Sequence, residues 1–216
     1  MAGRPPARAS CSMASTRTRR RLFGLDRSGP KPRETRRGQP LRPLTVPNLV
    51  GYVRLAGIPV FLYLALRSGD GRTAAATIIY LAISAADYLD GFLARATGQY
   101  SRMGALLDPV IDRLTILAGI VVTWKFELLP RWALAVLAAR EVVTLVLAQL
   151  ALRRGVDLEI NWVGRWSVWL TMGGIFLALA FDSWIGTAMF LVGLVGSLLA
   201  SGLYLKAGLA EARRAR

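Results

Sequence analysis

Six apolar runs, at residues 46–67, 72–95, 104–124, 131–152, 163–181 and 184–207, decide what this chain can fold into. Each is near the roughly 20 residues that an α-helix needs to cross the hydrocarbon core of a bilayer. The runs are too long, and alternate too little between apolar and polar residues, to be the strands of a membrane barrel. The expected fold is all-α, an integral membrane bundle of six transmembrane helices. At 216 residues and 54% hydrophobic, the chain has material for a single membrane domain, placed at 44–210.

Four carboxylates interrupt this pattern: Asp87 and Asp90 in the second run, Asp108 and Asp112 in the third. An Asp at the centre of a bilayer costs roughly 2.5–3.5 kcal/mol, so the four together cost on the order of 10 kcal/mol unless something compensates them. A helix turns about 100° per residue, which places Asp87, Asp90, Gly91 and Ala94 on one face. Gly104, Asp108 and Asp112 recur every four residues and form a second stripe. A turn at 96–103 between antiparallel helices would let the two stripes face each other, with four carboxylates converging on a small volume. A pair of divalent cations, Mg²⁺ or Mn²⁺, is the expected compensation, because the donors are all oxygen. The chain has no His and one Cys, which removes zinc-protease sites, Ser-His triads, haem ligation by His and the Glu-x-x-His di-iron bundle.

The formal charge of +15 is largely local. Residues 1–42 hold twelve Arg or Lys against Asp26 and Glu34, among many Pro, Gly, Ser and Thr. Such a stretch buries too little apolar surface to fold alone, so 1–43 reads as a disordered basic cytoplasmic tail lying near anionic headgroups. Nucleic acid is not an expected partner, since Phe23 is the only aromatic residue in the tail able to stack a base. Met13 is an alternative start, and residues 211–216 form a short basic C-terminal tail. Arg95, Arg102, Arg153, Arg154, Arg213, Arg214 and Arg216 fall on one side of the six spans, against Arg67, Arg72, Lys125 and Arg131 on the other. The positive-inside bias therefore places both termini, and the acidic stripes near the 96–103 turn, on the cytoplasmic side. A bacterial inner membrane is the expected location. The acid-free, Arg- and Ser-rich first twenty-five residues leave a mitochondrial inner membrane as the alternative.

Written as a pattern, residues 87–112 read D-x-x-D-G-x-x-A-R-x8-G-x3-D-x3-D. In this the chain resembles the CDP-alcohol phosphatidyltransferase family of class I, and Pro47-Asn48-Leu49-Val50-Gly51-Tyr52-Val53-Arg54 resembles the PNxxTxxR start of that family's first helix, with Gly51 in place of Thr. The resemblance implies that Asp87, Asp90, Asp108 and Asp112 bind two metal ions, with Asp112 also the catalytic base. It implies that Asn48, Gly91, Ala94, Arg95, Ser101 and Gly104 lie around the CDP portion of CDP-diacylglycerol. Small residues at 91, 94 and 104 leave room for a phosphate to approach the backbone, and Arg95 offers it a planar set of donors. The partners so implied are CDP-diacylglycerol, a polar alcohol acceptor and membrane lipids, in a homodimer.

The acceptor is read from further along the chain. Arg113, Arg140 and Arg165 fall within or at the ends of spans, where an isolated guanidinium is expensive, and a shared anionic acceptor phosphate would account for all three. Otherwise, Arg140 pairs with Glu141 or an Asp, and Arg165 snorkels to the interface. The glycerol-phosphate branch of the family carries Arg-Glu in its fourth helix and Gly-Lys followed by Lys-Thr in its fifth. Here Arg140-Glu141 is kept, but the fifth reads Gly164-Arg165-Trp166-Ser167-Val168. The first expectation is transfer of a phosphatidyl group to glycerol 3-phosphate with release of CMP, giving phosphatidylglycerophosphate. The alternative is cardiolipin synthesis with phosphatidylglycerol as acceptor. From another class, an ion-coupled transporter would also place Asp residues in the membrane, but no second copy of the Asp-Gly pattern occurs in 130–207.

Overall fold

The structure is a computed structural model and describes residues 43–153 and 162–214. Six helices form among them: α1 Val46–Arg67, α2 Ala74–Thr97, α3 Arg102–Lys125, α4 Arg131–Arg153, α5 Trp162–Ala180 and α6 Trp184–Arg214. They follow the apolar runs closely. The expected tail at 1–42 lies outside the described residues. The last helix continues past residue 207 to Arg214, because Ala, Leu, Glu and Arg favour helix after the apolar run has ended.

Three of the helices are long and apolar enough to cross a membrane by length and composition: α1, α2 and Trp184–Leu203 of α6. At 22 residues, α1 is about 33 Å long, close to the hydrocarbon thickness. Helices α3 and α4 carry Asp108, Asp112, Arg113, Arg140 and Glu141 in their middles, which lowers their hydropathy. Within α5 the apolar stretch is the shorter Trp166–Ala180.

The helix ends follow from local sequence. Pro47 sits in the first turn of α1, where its missing N–H costs nothing. After α2, Gly98 takes a left-handed φ of 66°, a conformation a side chain would resist. Ser101 caps α3: its Oγ accepts the Gly104 backbone N–H at 2.9 Å.

The described chain divides into two compact units. One comprises residues 43–56 and Ile83–Asp112, and therefore holds the start of α1, the end of α2 and the start of α3. The other comprises Gly57–Ala82 and the described residues from Arg113 onward. The core of the second is apolar and close-packed, with Phe61, Tyr80, Leu134, Leu137, Ile175, Leu179 and Phe190 buried. Within it α5 and α6 run antiparallel at close range. A Cβ on Gly174 would come within 2.5 Å of the Phe190 backbone nitrogen, and one on Gly193 within 2.5 Å of that of Thr171. Small residues at this seam bring the two backbones together, as between helices in lipid.

Candidate active site

The first unit gathers polar and charged side chains on helices that are otherwise largely apolar. At its base, Asn48 is buried and tied to its neighbours: its Nδ2 donates to the Pro43 carbonyl at 3.0 Å, and its Oδ1 accepts the Ser101 hydroxyl at 2.9 Å. Gly104 lies against this pair. A Cβ there would stand 2.7 Å from Asn48 Oδ1 and 3.2 Å from Ser101 Oγ. Three residues implied to surround CDP are thus in mutual contact, joining the start of α1 to the start of α3. Gly51, at the position of the family's Thr, is also buried. A Cβ there would make ordinary contact with Ile111 at 3.5 Å, so the missing hydroxyl leaves an apolar junction.

Above that base the acids form a fan around Arg54. This guanidinium is 1% exposed, and it donates from Nη1 to Asp87 Oδ1 at 3.2 Å and to Asp90 Oδ2 at 3.0 Å. From Nη2 it donates to Asp112 Oδ1 at 2.7 Å, and from Nε to the Ile83 carbonyl at 3.1 Å. Asp108 lies within the electrostatic reach of Asp87, Asp90 and Arg54. The two stripes of the sequence do face each other, and all four Asp belong to one neighbourhood. Arg95 lies over Gly91, with Nη1 3.2 Å from where a Cβ on that residue would be. Ala94 is half-buried on the same helix.

Arg54 is the member of this cluster to which the sequence assigned no role. A signal was present, since an Arg in the middle of an apolar run is as costly as the Asp residues it meets.

Among the described residues, no three acidic or Cys side chains form a ready-made cation pocket, because the fan closes on Arg54. In chemical kind the donors still fit Mg²⁺ or Mn²⁺. Three carboxylates meet one guanidinium, and a fourth, Asp108, stands within its electrostatic reach with no hydrogen-bond or ion-pair partner among the described residues, so that carboxylates exceed the guanidinium by three in an apolar segment.

The second unit contains a cluster of inverse charge. Glu141 is 2% exposed and accepts hydrogen bonds from Nη1 of Arg113 and Nη1 of Arg140. Arg140 Nε also donates to Ser201 Oγ at 3.1 Å. Two of the arginines assigned to the acceptor therefore meet at one carboxylate, and the pairing of Arg140 with Glu141 is realised. The Arg165 side chain lies outside the described residues. Ser167, which stands where the glycerol-phosphate branch has the first residue of Lys-Thr, is buried in the α5–α6 seam. Its Oγ is 2.5 Å from where a Cβ on Gly196 would lie.

Residues 44–199 match the CDP-alcohol phosphatidyltransferase family. The chain belongs to that family. Its activity is therefore CDP-alcohol phosphatidyltransfer, and the transporter reading falls away. Among its relatives, a protein of Streptomyces coelicolor named cardiolipin synthase (CMP-forming) is 41% identical over 68% of this chain and 71% of its own length. A putative cardiolipin synthase of Mycobacterium tuberculosis is 35% identical over 57% of this chain and 59% of its own length. A CDP-diacylglycerol–glycerol-3-phosphate 3-phosphatidyltransferase of Shigella flexneri is 31% identical over 77% and 96%. Bacterial relatives and apolar helices together mark this family member as an inner-membrane protein.

Proposed function

We propose that this phosphatidyltransferase makes cardiolipin, moving the phosphatidyl group of CDP-diacylglycerol onto a free hydroxyl of phosphatidylglycerol. The observation that carries the choice of acceptor is Ser167. A buried, neutral side chain in the α5–α6 seam stands where the glycerol-phosphate branch has Lys. Arg113 and Arg140 share Glu141, so the three together carry a single positive charge. One positive charge suits the single negative charge of a phosphodiester better than the nearly double charge of a phosphomonoester. The similarity to the Streptomyces cardiolipin synthase supports the same reading.

In the reaction, the acceptor oxygen bonds to the lipid-side phosphorus of the diphosphate, the bond from that phosphorus to the CMP oxygen breaks, and CMP leaves. Asp112, whose side chain is 37% exposed, takes the hydroxyl proton, while Arg54 holds its Oδ1 and fixes the direction of the carboxylate. Arg95, beside Gly91, presents its guanidinium to the donor phosphates. Asp87, Asp90, Asp108 and Asp112 would hold two Mg²⁺ or Mn²⁺ ions. Bound there, the ions supply charge stabilisation for the diphosphate and the departing CMP. All six helices cross the membrane in this reading, with both termini and the fan on the cytoplasmic side.

The second reading has glycerol 3-phosphate as the acceptor. It is favoured by the retained Arg140-Glu141 pair and by the Shigella relative, which matches over nearly its whole length. Kinetics of the purified protein with CDP-diacylglycerol, Mn²⁺ and each acceptor in turn separate the two. The cardiolipin reading expects kcat/KM at least about tenfold higher for phosphatidylglycerol. A preference for glycerol 3-phosphate would establish the second reading in its place.

A further inference from the structure

Arg54 is bound on every side by its own chain. Its Nε, Nη1 and Nη2 make four hydrogen bonds, three of them to named carboxylate oxygens: Asp87 Oδ1, Asp90 Oδ2 and Asp112 Oδ1. At 1% exposure, its charge is compensated by those partners and not by water. One guanidinium cancels one of the four carboxylate charges. The remainder attracts further cations, and any that enter find a positive group already at the centre of the fan.

We propose that Arg54 is a resident counter-cation and a positioning residue. It holds Asp87, Asp90 and Asp112 together when no divalent cation is bound, and it sets the affinity with which a divalent cation enters. This rests on the two-cation reading of the four Asp. Two consequences of opposite sign follow from the electrostatics. Without Arg54, the metal-free fan is a set of like charges with nothing to hold them, and the protein is less stable. With a divalent cation present, the repulsion between that cation and the guanidinium is gone, and the cation binds more tightly. A residue that merely props up the helices would act differently: its loss would lower stability equally with and without metal and would leave metal affinity unchanged or weakened.

The test uses the full chain in detergent, with Mn²⁺ binding followed by the paramagnetic resonance signal of free Mn²⁺ and thermal unfolding followed in EDTA and in Mn²⁺. For Arg54→Gln, the expected result is a lower Tm in EDTA, a Mn²⁺-induced rise in Tm at least about twice that of wild type, and a Kd about tenfold tighter. Arg54→Lys, which keeps the charge but not the fork, is expected to bind Mn²⁺ within about threefold of wild type. Recovery of Arg54→Gln only in the presence of Mn²⁺ would itself be the expected dependence. If it is recovered in neither condition, Arg54→Lys decides, and weakening beyond about threefold overturns the proposal. Unchanged or weakened Mn²⁺ binding by Arg54→Gln, beside a wild type that binds, overturns the counter-cation role alone. A wild type that binds no Mn²⁺ overturns the two-cation reading and this role with it.

Discussion

The fan around Arg54 and the cluster around Glu141 are built on one plan with the signs exchanged. In each, the central ion is almost wholly buried, 1% exposed for Arg54 and 2% for Glu141, and is held by ions of opposite charge, three around Arg54 and two around Glu141. Some of the surrounding ions are more open: the side chains of Asp87 and Asp112 are 42% and 37% exposed and that of Arg113 is 23% exposed, whereas Asp90 and Arg140 stay near the buried centre. Such an arrangement divides the work. The buried ion organises, and the open ones carry an uncompensated charge that a ligand can meet. The remainder is negative around Arg54, which suits cations and the chemistry they assist, and positive around Glu141, which suits an anionic acceptor. The two clusters differ in size of remainder as well as sign, three charges against one.

The largest effect should come from the open edge of the fan. Asp112→Asn is expected to lower kcat by about 10²- to 10⁴-fold while CDP-diacylglycerol still binds. Turnover near wild type would mean that the proton goes elsewhere. The inverse cluster should respond in stability first. Glu141→Gln removes the shared partner of two guanidiniums and should cost about 3 kcal/mol in thermal unfolding. A loss no larger than that of an exposed pair would show that the two clusters are not alike.

Arg140→Ala should raise the acceptor KM about tenfold and leave the donor KM much less changed if, as proposed, the positive remainder receives the acceptor. Equal effects on both would make the cluster purely structural. Gly104→Ala drives a methyl into Asn48 and Ser101 and should raise the donor KM by a few-fold, about 1 kcal/mol in transition-state binding. The smallest effect is expected at Glu127→Gln. Its partner Arg131 and Glu127 itself are 54% and 69% exposed, so the loss should stay under about 0.5 kcal/mol by the same unfolding measurement.

Much of this was legible from the sequence because it is written in periodicity. Apolar runs gave the helices, and the four-residue spacing of Gly104, Asp108 and Asp112 gave the face on which the acids lie. Arg54 was harder to read. It closes a motif at the start of a helix, and nothing in local spacing says that its side chain meets residues 33, 36 and 58 positions away. The engagement of Asn48 with Ser101, 53 residues apart, was hidden for the same reason. Pairing across that separation depends on tertiary geometry. The cost of a lone Arg in an apolar segment says that a partner exists but not which one.

Whether the acidic fan is the reaction centre of phosphatidyl transfer is decided by CMP release from CDP-diacylglycerol by the purified protein, with and without phosphatidylglycerol, before and after removal of divalent cations by EDTA. CMP is expected only when acceptor and Mg²⁺ or Mn²⁺ are both present, with cardiolipin formed in equal amount. CMP release that is indifferent to the acceptor, or that persists undiminished after EDTA, would contradict that role of the fan.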